Sequence, residues 1–197
     1  MKQYDRKYFD KWYRSRGRVS TSAEVRRKVT MALSLAEYFL RRPVKSVLDV
    51  GCGEGAWLPH LRALRPRVAY LGLDPSEYAV QRFGASRNIR RASFGELPSL
   101  RLDRPFDLVV CSDVLHYVPD AEIGAGVAEI ARVAEGVVFL EVLTKEDDVV
   151  GDLDGFLKRP AKWYRTQFAK AGLIAAGPYA WLAPALQPEA AELEILR

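Results

Sequence analysis

The sequence contains little cysteine and little histidine. Its 197 residues include two cysteines, Cys52 and Cys111, and two histidines, His60 and His116. Two thiols cannot form a disulfide scaffold for a chain of this length, and neither histidine has the spacing from a cysteine pair that structural zinc requires. We therefore expect a reduced, metal-free protein that is stabilised by its hydrophobic core.

Long apolar runs are also missing. No run reaches the roughly 18 residues of a membrane-spanning helix, and the N-terminal stretch MKQYDRKYFDKWYRSR lacks the apolar centre of a signal peptide. The prediction is a cytoplasmic protein with no membrane partner. Apolar residues make up 49% and charged residues 28% of the chain, which argues against a disordered or coiled-coil protein. The oligomeric state stays open.

Acidic residues are scarce near the N-terminus. Residues 1–45 contain 13 Lys and Arg against 4 Asp and Glu, whereas the whole chain carries a net charge of +5. Such a basic segment could bind nucleic acid, an anionic substrate or acidic groups of its own domain. Its arginines interleave with regularly spaced apolar residues, which favours a solvated helix face packed on the domain.

The N-terminal segment is predicted to contain two helices. The second begins after the hydroxyl residues at 20–22 and ends before Pro43. We interpret residues 1–43 as a helical lid and residues 44–197 as the main domain. The aromatic residues of the first helix recur at spacings of three to five and form one face: Tyr4, Tyr8, Phe9, Trp12 and Tyr13.

From Lys45 onward, short apolar runs alternate with helical stretches, which is typical of a parallel sheet with helices on both faces. Helices are predicted near 56–65, 76–85, 120–134 and 160–171. Strands are predicted near 45–50, 68–73, 88–94, 106–111 and 136–142. A last pair of strands, near 173–180 and 191–196 and joined through Pro184 and Pro188, is predicted to form an antiparallel hairpin at the sheet edge.

The strongest local motif is the glycine-rich turn in VLDVGCGEGAW at 47–57. Gly51 and Gly53 let the backbone approach a ligand, and the following helix offers unpaired N–H groups. Alone, the motif also fits a dinucleotide-binding loop. Asp49 favours another ligand, because its carboxylate would repel the pyrophosphate of NAD but could bind the cationic groups of S-adenosylmethionine. Alternatively, Asp49 only caps the turn.

A second carboxylate, Asp74 in LGLDPS, ends the second predicted strand 21 residues beyond Gly53. A carboxylate at this distance can accept both ribose hydroxyls of an adenosine. The position therefore indicates adenosine without identifying the cofactor. Alternatively, Asp74, Pro75 and Ser76 only start the next helix.

Four motifs together resemble a known family. VLDVGCGEG, LGLDPS, FGELP and FDLVVCSDVLHYVPD occur in the order seen in class I S-adenosylmethionine-dependent methyltransferases, which the chain resembles from about residue 44 to 142. This resemblance implies a Rossmann-like, doubly wound, seven-stranded and mostly parallel sheet. Its expected strand order is 3-2-1-4-5-7-6 with strand 7 antiparallel, and residues 44–197 would be the methyltransferase domain.

The resemblance also implies S-adenosyl-L-methionine as the cofactor and S-adenosyl-L-homocysteine as the product. Many relatives have an Asp at the position of Ser93, so here a hydroxyl or the backbone would hold the adenine amino group. Phe94 is either a ring against the adenine or a core residue. The implied cofactor contacts are Asp49, Gly51, Cys52, Gly53, Asp74, Pro75, Ser93, Phe94, Cys111 and Ser112.

Acceptor residues are expected around the loop after the fourth strand. His116 follows this strand at the carboxyl edge and is the candidate proton acceptor, although a histidine at this place is often a packing residue in the family that the chain resembles. Asp113 and Tyr117 share its loop and are secondary candidates. Aromatic residues of the lid, of this loop and of a later helix are expected to line the acceptor pocket: Tyr4, Tyr8, Trp12, Tyr13, Tyr117 and Trp163.

The leading hypothesis is methyl transfer to a nitrogen or oxygen of a small molecule. The chain lacks the DPPY, NPPY or Pro-Cys sequences of base methyltransferases, and the acids at 146–154 fit a solvated loop better than a divalent metal site. One alternative is an RNA or protein methyltransferase that uses the basic N-terminal segment. Further alternatives are a non-catalytic S-adenosylmethionine-binding module and an NAD-linked oxidoreductase.

Overall fold

The computed structural model describes residues 4–15, 20–102, 104–148 and 151–190. Seven strands form one sheet in the order β3-β2-β1-β4-β5-β7-β6, and β7 runs antiparallel to both β5 and β6. This confirms the predicted fold. The strands are β1 Ser46–Val50, β2 Ala69–Asp74, β3 Ile89–Arg91, β4 Phe106–Ser112, β5 Ala134–Glu141, β6 Ile174–Gly177 and β7 Ala180–Leu182.

Helices cover both faces of the sheet and precede it at the N-terminus. They are α1 Arg6–Phe9, continued by a π-helical turn at Asp10–Arg14, then α2 Ser22–Leu40, α3 Leu58–Leu64, α4 Glu77–Arg87, α5 Asp120–Val133 and α6 Ala161–Lys170. Short 3₁₀ turns occur at Phe94–Ser99, Leu115–Tyr117 and Pro184–Glu189. None of the helices within the described ranges is both long and apolar enough to cross a membrane.

The core has two layers, because successive residues of a strand point to opposite faces of the sheet. On one face, Leu108 of β4 packs with Leu33 of α2 in one buried cluster. On the other face, Val109 packs with Ile123 of α5 and Tyr164 of α6 in a second cluster. The central strands are therefore buried on both sides, as their continuous apolar sequences predict.

The C-terminal hairpin differs from the prediction. β6 and β7 are joined at Pro178 and Tyr179, and Tyr179 adopts the left-handed conformation with φ 57°. The predicted connection through Pro184 and Pro188 is wrong, because the short AWL strand already pairs with β5 and the prolines lie in the 3₁₀ turn that follows. The strand predicted near 191–196 lies outside the described residues.

The N-terminal segment contributes to the fold in two ways. Helix α2 begins with a capping box in which Thr21 and Glu24 bond each other's backbone N–H, and its apolar face joins the core. Residues 4–15 instead lie over the carboxyl edge of the sheet, where the Ser76 hydroxyl donates a 2.5 Å hydrogen bond to the carbonyl of Tyr4. The start of α2 reaches the same edge, where Val25 and Lys28 line a cavity.

Several basic side chains of the N-terminal segment bind acidic groups of the same domain. The guanidinium of Arg42 donates two hydrogen bonds of 2.8 Å to the carboxylate of Asp107. Arg14 forms an ion pair with Glu54, and the ammonium of Lys28 lies 2.6 Å from a carboxylate oxygen of Glu141. Three kinds of partner were considered for the basic segment. The structure shows one of them, the acidic groups of the same domain.

Candidate active site

Two neighbouring cavities open at the carboxyl edge of the sheet, where β1 and β4 lie side by side. The larger has a volume of about 570 Å³ and the smaller about 220 Å³. In such sheets the connections of these two central strands diverge to opposite faces, which leaves a crevice for ligands. We call the residues that border both cavities the junction: Phe9, Tyr13, Gly51, Gly53, Asp113 and Tyr117.

The glycine-rich turn forms the floor of the junction. Gly51 and Gly53 have φ values of 70° and 54°, which other residues adopt only with strain. The backbone N–H of Gly51 donates a 2.7 Å hydrogen bond to the carbonyl of Leu73, so the turn is fastened to the end of β2. A side chain at Gly51 would overlap Val114. The shape of the turn and its packing against Val114 therefore require glycine at position 51.

Asp49 lies at the end of β1 beside this turn and borders the larger cavity. It is 2% exposed and accepts a 2.7 Å hydrogen bond from the hydroxyl of Tyr70. Burial raises the pKa of Asp49 to about 7, against the opposing effect of the Tyr70 hydrogen bond. A cationic ligand in this cavity would hold the carboxylate in its ionised form.

Asp74 borders the smaller cavity from the end of β2. Its two carboxylate oxygens accept hydrogen bonds from the N–H of Gly53 at 2.6 Å and from the N–H of Ser76 at 2.9 Å. Burial raises the pKa of Asp74 above its usual value. Ser76, and not Asp74, is the N-cap of α4, since its hydroxyl accepts the N–H of Ala79. Pro75 borders the same cavity.

Ser93 and Phe94 also border the smaller cavity. The Ser93 hydroxyl donates a 2.8 Å hydrogen bond to Glu96, whose carboxylate also accepts the Ser93 N–H. The Phe94 ring rests on Gly126, where any side chain would overlap it. Phe94 is therefore a core residue that also forms part of the cavity wall, and its contact with an adenine stays a prediction.

Of three further predicted cofactor contacts, Cys52, Cys111 and Ser112, only two line a cavity. Cys111 is fully buried in the core and borders neither cavity, whereas Cys52 and Ser112 border the larger one. The Ser112 hydroxyl donates a hydrogen bond to Glu141, which also binds Lys28. This places a serine, a carboxylate and a lysine from three different elements on one wall.

His116 is fully buried and borders neither cavity. Its ring packs against Tyr117 and Phe156, with centroids 4.3 Å and 5.0 Å away. Nδ1 accepts a 3.3 Å hydrogen bond from the N–H of Leu143, and Nε2 lies 3.3 Å from an Asp113 carboxylate oxygen. The imidazole therefore contacts the junction through Asp113 and Tyr117 and does not border either cavity itself.

The aromatic residues predicted for the acceptor pocket separate into two groups. Tyr4, Tyr8, Tyr13 and Tyr117 border one or both cavities. Trp12 and Trp163 border neither. The ammonium of Lys11 lies 4.3 Å from the Trp12 ring centroid, and the guanidinium of Arg159 lies 4.8 Å from that of Trp163.

Arg159 and Tyr70 are important residues that the sequence analysis missed. Arg159 is 6% exposed and donates hydrogen bonds to Asp120 and to the carbonyls of Leu115 and Val118, which fasten the loop between β4 and α5. No sequence motif marks it. Tyr70 could have been found once strands β1 and β2 were aligned, because their register places its side chain diagonally across from Asp49.

A metal centre was not predicted, and the described residues contain no group of three or more His, Cys, Asp or Glu side chains that could hold a metal ion.

The sequence and the fold were compared with known proteins. A family profile described as "Methyltransferase domain" matches residues 22–176. A ubiquinone biosynthesis O-methyltransferase of Hahella chejuensis is 31% identical over 103 residues, which cover 49% of this chain and 43% of that protein. A trans-aconitate 2-methyltransferase of Deinococcus radiodurans is 31% identical over 87 residues, covering 40% of this chain and 30% of that protein. The chain spans about half or less of the length of these relatives.

Solved structures share the fold at low sequence identity. The S-adenosylmethionine-bound amino pentose methyltransferase CalS10 of Micromonospora echinaspora superimposes with a TM-score of 0.67 at 18% identity, covering 93% of this chain and 99% of that one. The sugar N-methyltransferase KedS8 of Streptoalloteichus sp ATCC 53650 gives a TM-score of 0.61 at 21% identity, covering 88% and 91%. With the profile match and the glycine turn between two acidic strand ends, the chain belongs to the class I S-adenosylmethionine-dependent methyltransferases.

Proposed function

We propose that the protein is an enzyme that transfers a methyl group from S-adenosylmethionine to a nitrogen or oxygen of a small molecule. One observation carries this proposal: two cavities meet at the glycine turn, with Asp49 on the larger one and Asp74 on the smaller one. This arrangement offers one space for a nucleoside and another for the reacting group, with a common junction between them.

The residues present fit the cofactor. In the smaller cavity the carboxylate of Asp74 can accept the ribose hydroxyls, and the ring of Phe94 can pack against the adenine. In the larger cavity Asp49 can bind the ammonium of the methionine part, and Ser112 offers a hydroxyl nearby. S-adenosylmethionine supplies a methyl group already activated on a sulfonium, so the chain has mainly to bind and align the two reactants.

The larger cavity is the proposed acceptor site. Its volume of about 570 Å³ lies in the range of small-molecule pockets. The neighbours named above include methyltransferases of sugars, and the curated relatives include a ubiquinone biosynthesis O-methyltransferase. These names support a small-molecule acceptor with either a nitrogen or an oxygen as the methylated atom.

Residues 4–15 act as a cover in this proposal. The ring of Phe9 is 3% exposed and rests on Gly53, and its centroid lies 5.7 Å from that of Tyr78 on α4. Arg14 binds Glu54, which follows the glycine turn. This cover would exclude water from the junction and hold the acceptor in line with the methyl group.

An activity screen tests the proposal. The protein is incubated with isotopically labelled S-adenosylmethionine and a panel of small amines, alcohols and phenols, and labelled products are detected by mass spectrometry. We expect product from at least one nitrogen or oxygen acceptor and none with Asp74→Ala. Tight binding of S-adenosylhomocysteine without any methylated product would instead favour the non-catalytic binding module.

A further inference from the structure

Carboxylates outnumber cations around the proposed acceptor cavity. Among the described residues that line it, three are Lys or Arg: Arg14, Lys28 and Arg87. Six are acidic: Asp49, Glu54, Asp113, Glu141, Asp148 and Asp152. The field in this cavity therefore favours a positively charged guest over a negatively charged one.

The three cationic side chains already bind groups of the protein itself. Arg14 pairs with Glu54, and Lys28 pairs with Glu141. Arg87 donates a 2.5 Å hydrogen bond to the carbonyl of Glu54, and its guanidinium lies 4.3 Å from the ring centroid of Phe83. The two ion pairs are each neutral as a unit, and Asp49 is assigned to the methionine ammonium. The negative charge offered to an acceptor therefore comes from Asp113, Asp148 and Asp152, against the single cation Arg87.

Asp113 is the carboxylate of this group that lies at the junction. It borders both cavities, its side chain is 34% exposed, and its backbone N–H donates a 2.9 Å hydrogen bond to the carbonyl of Glu141. Its φ of 63° is unusual for a residue other than glycine and turns the chain sharply after β4. The turn places this carboxylate where cofactor and acceptor would meet.

A buried imidazole, which borders neither cavity, lies next to Asp113. His116 is fully buried, and its Nε2 has no hydrogen-bond partner among the described residues although it lies 3.3 Å from an Asp113 oxygen. Because Nδ1 accepts the N–H of Leu143, a neutral ring carries its proton on Nε2. At 3.3 Å from the carboxylate, the ring is close enough to restrict the position of the Asp113 side chain.

Aromatic rings line the junction and the adjoining smaller cavity. Tyr117 and Tyr13 belong to the junction, and Tyr4 and Tyr8 line the adjoining smaller cavity. Ring faces attract cations, most strongly where water is excluded. Burial, followed by Asp113 and Asp152, raises the pKa of the Tyr117 phenol above its usual value, so the surroundings oppose a further negative charge.

From this geometry we propose that the acceptor is an amine, that Asp113 binds it in its ammonium form, and that His116 is a positioning residue for Asp113. This inference rests on the proposed methyl transfer. The ammonium must first lose one proton to water, which frees the nitrogen lone pair. As the N–C bond forms and the C–S bond breaks, the positive charge moves from sulfur to nitrogen, where Asp113 again stabilises it.

The test separates this inference from the proposed function by two successive titrations. S-adenosylhomocysteine is first titrated into the wild type, Asp113→Asn and Asp148→Asn by calorimetry. Absence of binding to the wild type would overturn the proposed function itself. Asn adopts positive φ readily, so Asp113→Asn should keep the turn. Asp148 is exposed and borders only the larger cavity, which makes Asp148→Asn a control with the same change of charge.

The S-adenosylhomocysteine complexes are then titrated with methylammonium and with acetate, which are small enough to enter any acceptor pocket, and binding is followed by NMR. We expect the wild type to bind methylammonium more tightly than acetate. Asp113→Asn should weaken methylammonium binding about fivefold or more, and Asp148→Asn should weaken it less. Acetate binding as tightly as methylammonium, no methylammonium binding, or equal effects of the two variants would overturn the inference.

Two variants of His116 test its positioning role. His116→Gln can still donate a hydrogen bond, whereas His116→Phe fills the space without a donor. We expect methylammonium affinity to fall in His116→Phe and to be largely retained in His116→Gln. Equal affinity in both variants would show that the histidine only fills space.

Discussion

The hydroxyl of Tyr70 donates a 2.7 Å hydrogen bond to the buried carboxylate of Asp49. The two residues lie on neighbouring parallel strands, in a register that pairs Val47 with Tyr70. Without a ligand, burial raises the pKa of Asp49 to about 7, although this hydrogen bond acts in the opposite direction. The site therefore contains a carboxylate whose ionisation is unfavourable until a cation binds beside it.

Asp49→Asn should make the unliganded protein more stable at pH 8. The folded-state pKa of Asp49 is raised from 3.8 to about 7, so the folded state binds the proton more tightly than the unfolded state. Its contribution to stability is thus greatest at low pH and decreases as pH rises from about 4 to about 7. We expect a gain of about 1 to 3 kcal/mol at pH 8 and about a third of that gain at pH 5.

Thermal unfolding of the wild type and Asp49→Asn between pH 5 and pH 8 measures this effect. Glu77→Gln, at an exposed position of α4, is the control for a change of surface charge. A difference in Tm between wild type and Asp49→Asn that does not vary with pH would contradict the raised pKa.

Tyr70→Phe should weaken S-adenosylmethionine binding more at pH 7 than at pH 9. Loss of the hydroxyl raises the pKa of Asp49 further, so a larger share of Asp49 is protonated at pH 7. At pH 9 a larger share of the carboxylate is ionised in both proteins, so the difference between them becomes smaller. Calorimetric titration at both pH values checks the prediction, and an equal loss of affinity at both would contradict it.

Gly53→Ala should disturb the contact between the glycine turn and the N-terminal cover. The backbone φ at Gly53 is 54°, and an added Cβ would lie 3.1 Å from the ring of Phe9. We expect a cost of about 1 to 2 kcal/mol and at least a tenfold loss of cofactor affinity. Gly177→Ala is the matched control, because nothing lies within 4 Å of a Cβ at Gly177. Calorimetry that finds both variants equal to the wild type would refute this role of the turn.

Arg159→Met should destabilise the fold and loosen the loop that carries Asp113. The substitution leaves the carbonyls of Leu115 and Val118 without their buried donor and removes the ion pair with Asp120. We expect a loss of about 2 to 4 kcal/mol in the free energy of unfolding. Arg165→Met, at an exposed position of the helix α6 that follows Arg159, is the control. Chemical denaturation measures both variants, and similar values for them would be incompatible with an anchoring role.

Much of the fold could be predicted because the central strands are continuous apolar runs between turn signals. The run FDLVVC predicts a strand at 106–111, and the structure has β4 at Phe106–Ser112. The last hairpin was misplaced for a physical reason: β7 has only three residues, Ala180–Leu182, which is too short for a recognisable periodicity. The Gly177 and Pro178 pair marked the true turn.

From the sequence, the candidate site could be predicted only for residues whose location follows from the strand topology. Asp49, Gly51 and Asp74 stand at strand ends, so their place at the carboxyl edge follows from the topology. The direction of a side chain in a loop does not follow from it. His116 points inward to Leu143, and Arg159 reaches the β4 loop from 39 residues beyond its partner Asp120, which no local pattern could indicate.

The most direct test of the central claim is a calorimetric titration with S-adenosylmethionine, S-adenosylhomocysteine and NAD, on the wild type and on Asp74→Ala. The account predicts that both adenosyl compounds bind to the wild type, that NAD does not, and that Asp74→Ala loses both. NAD binding without either adenosyl compound, or unchanged adenosyl affinity in Asp74→Ala, would contradict the placement of the cofactor at the glycine turn.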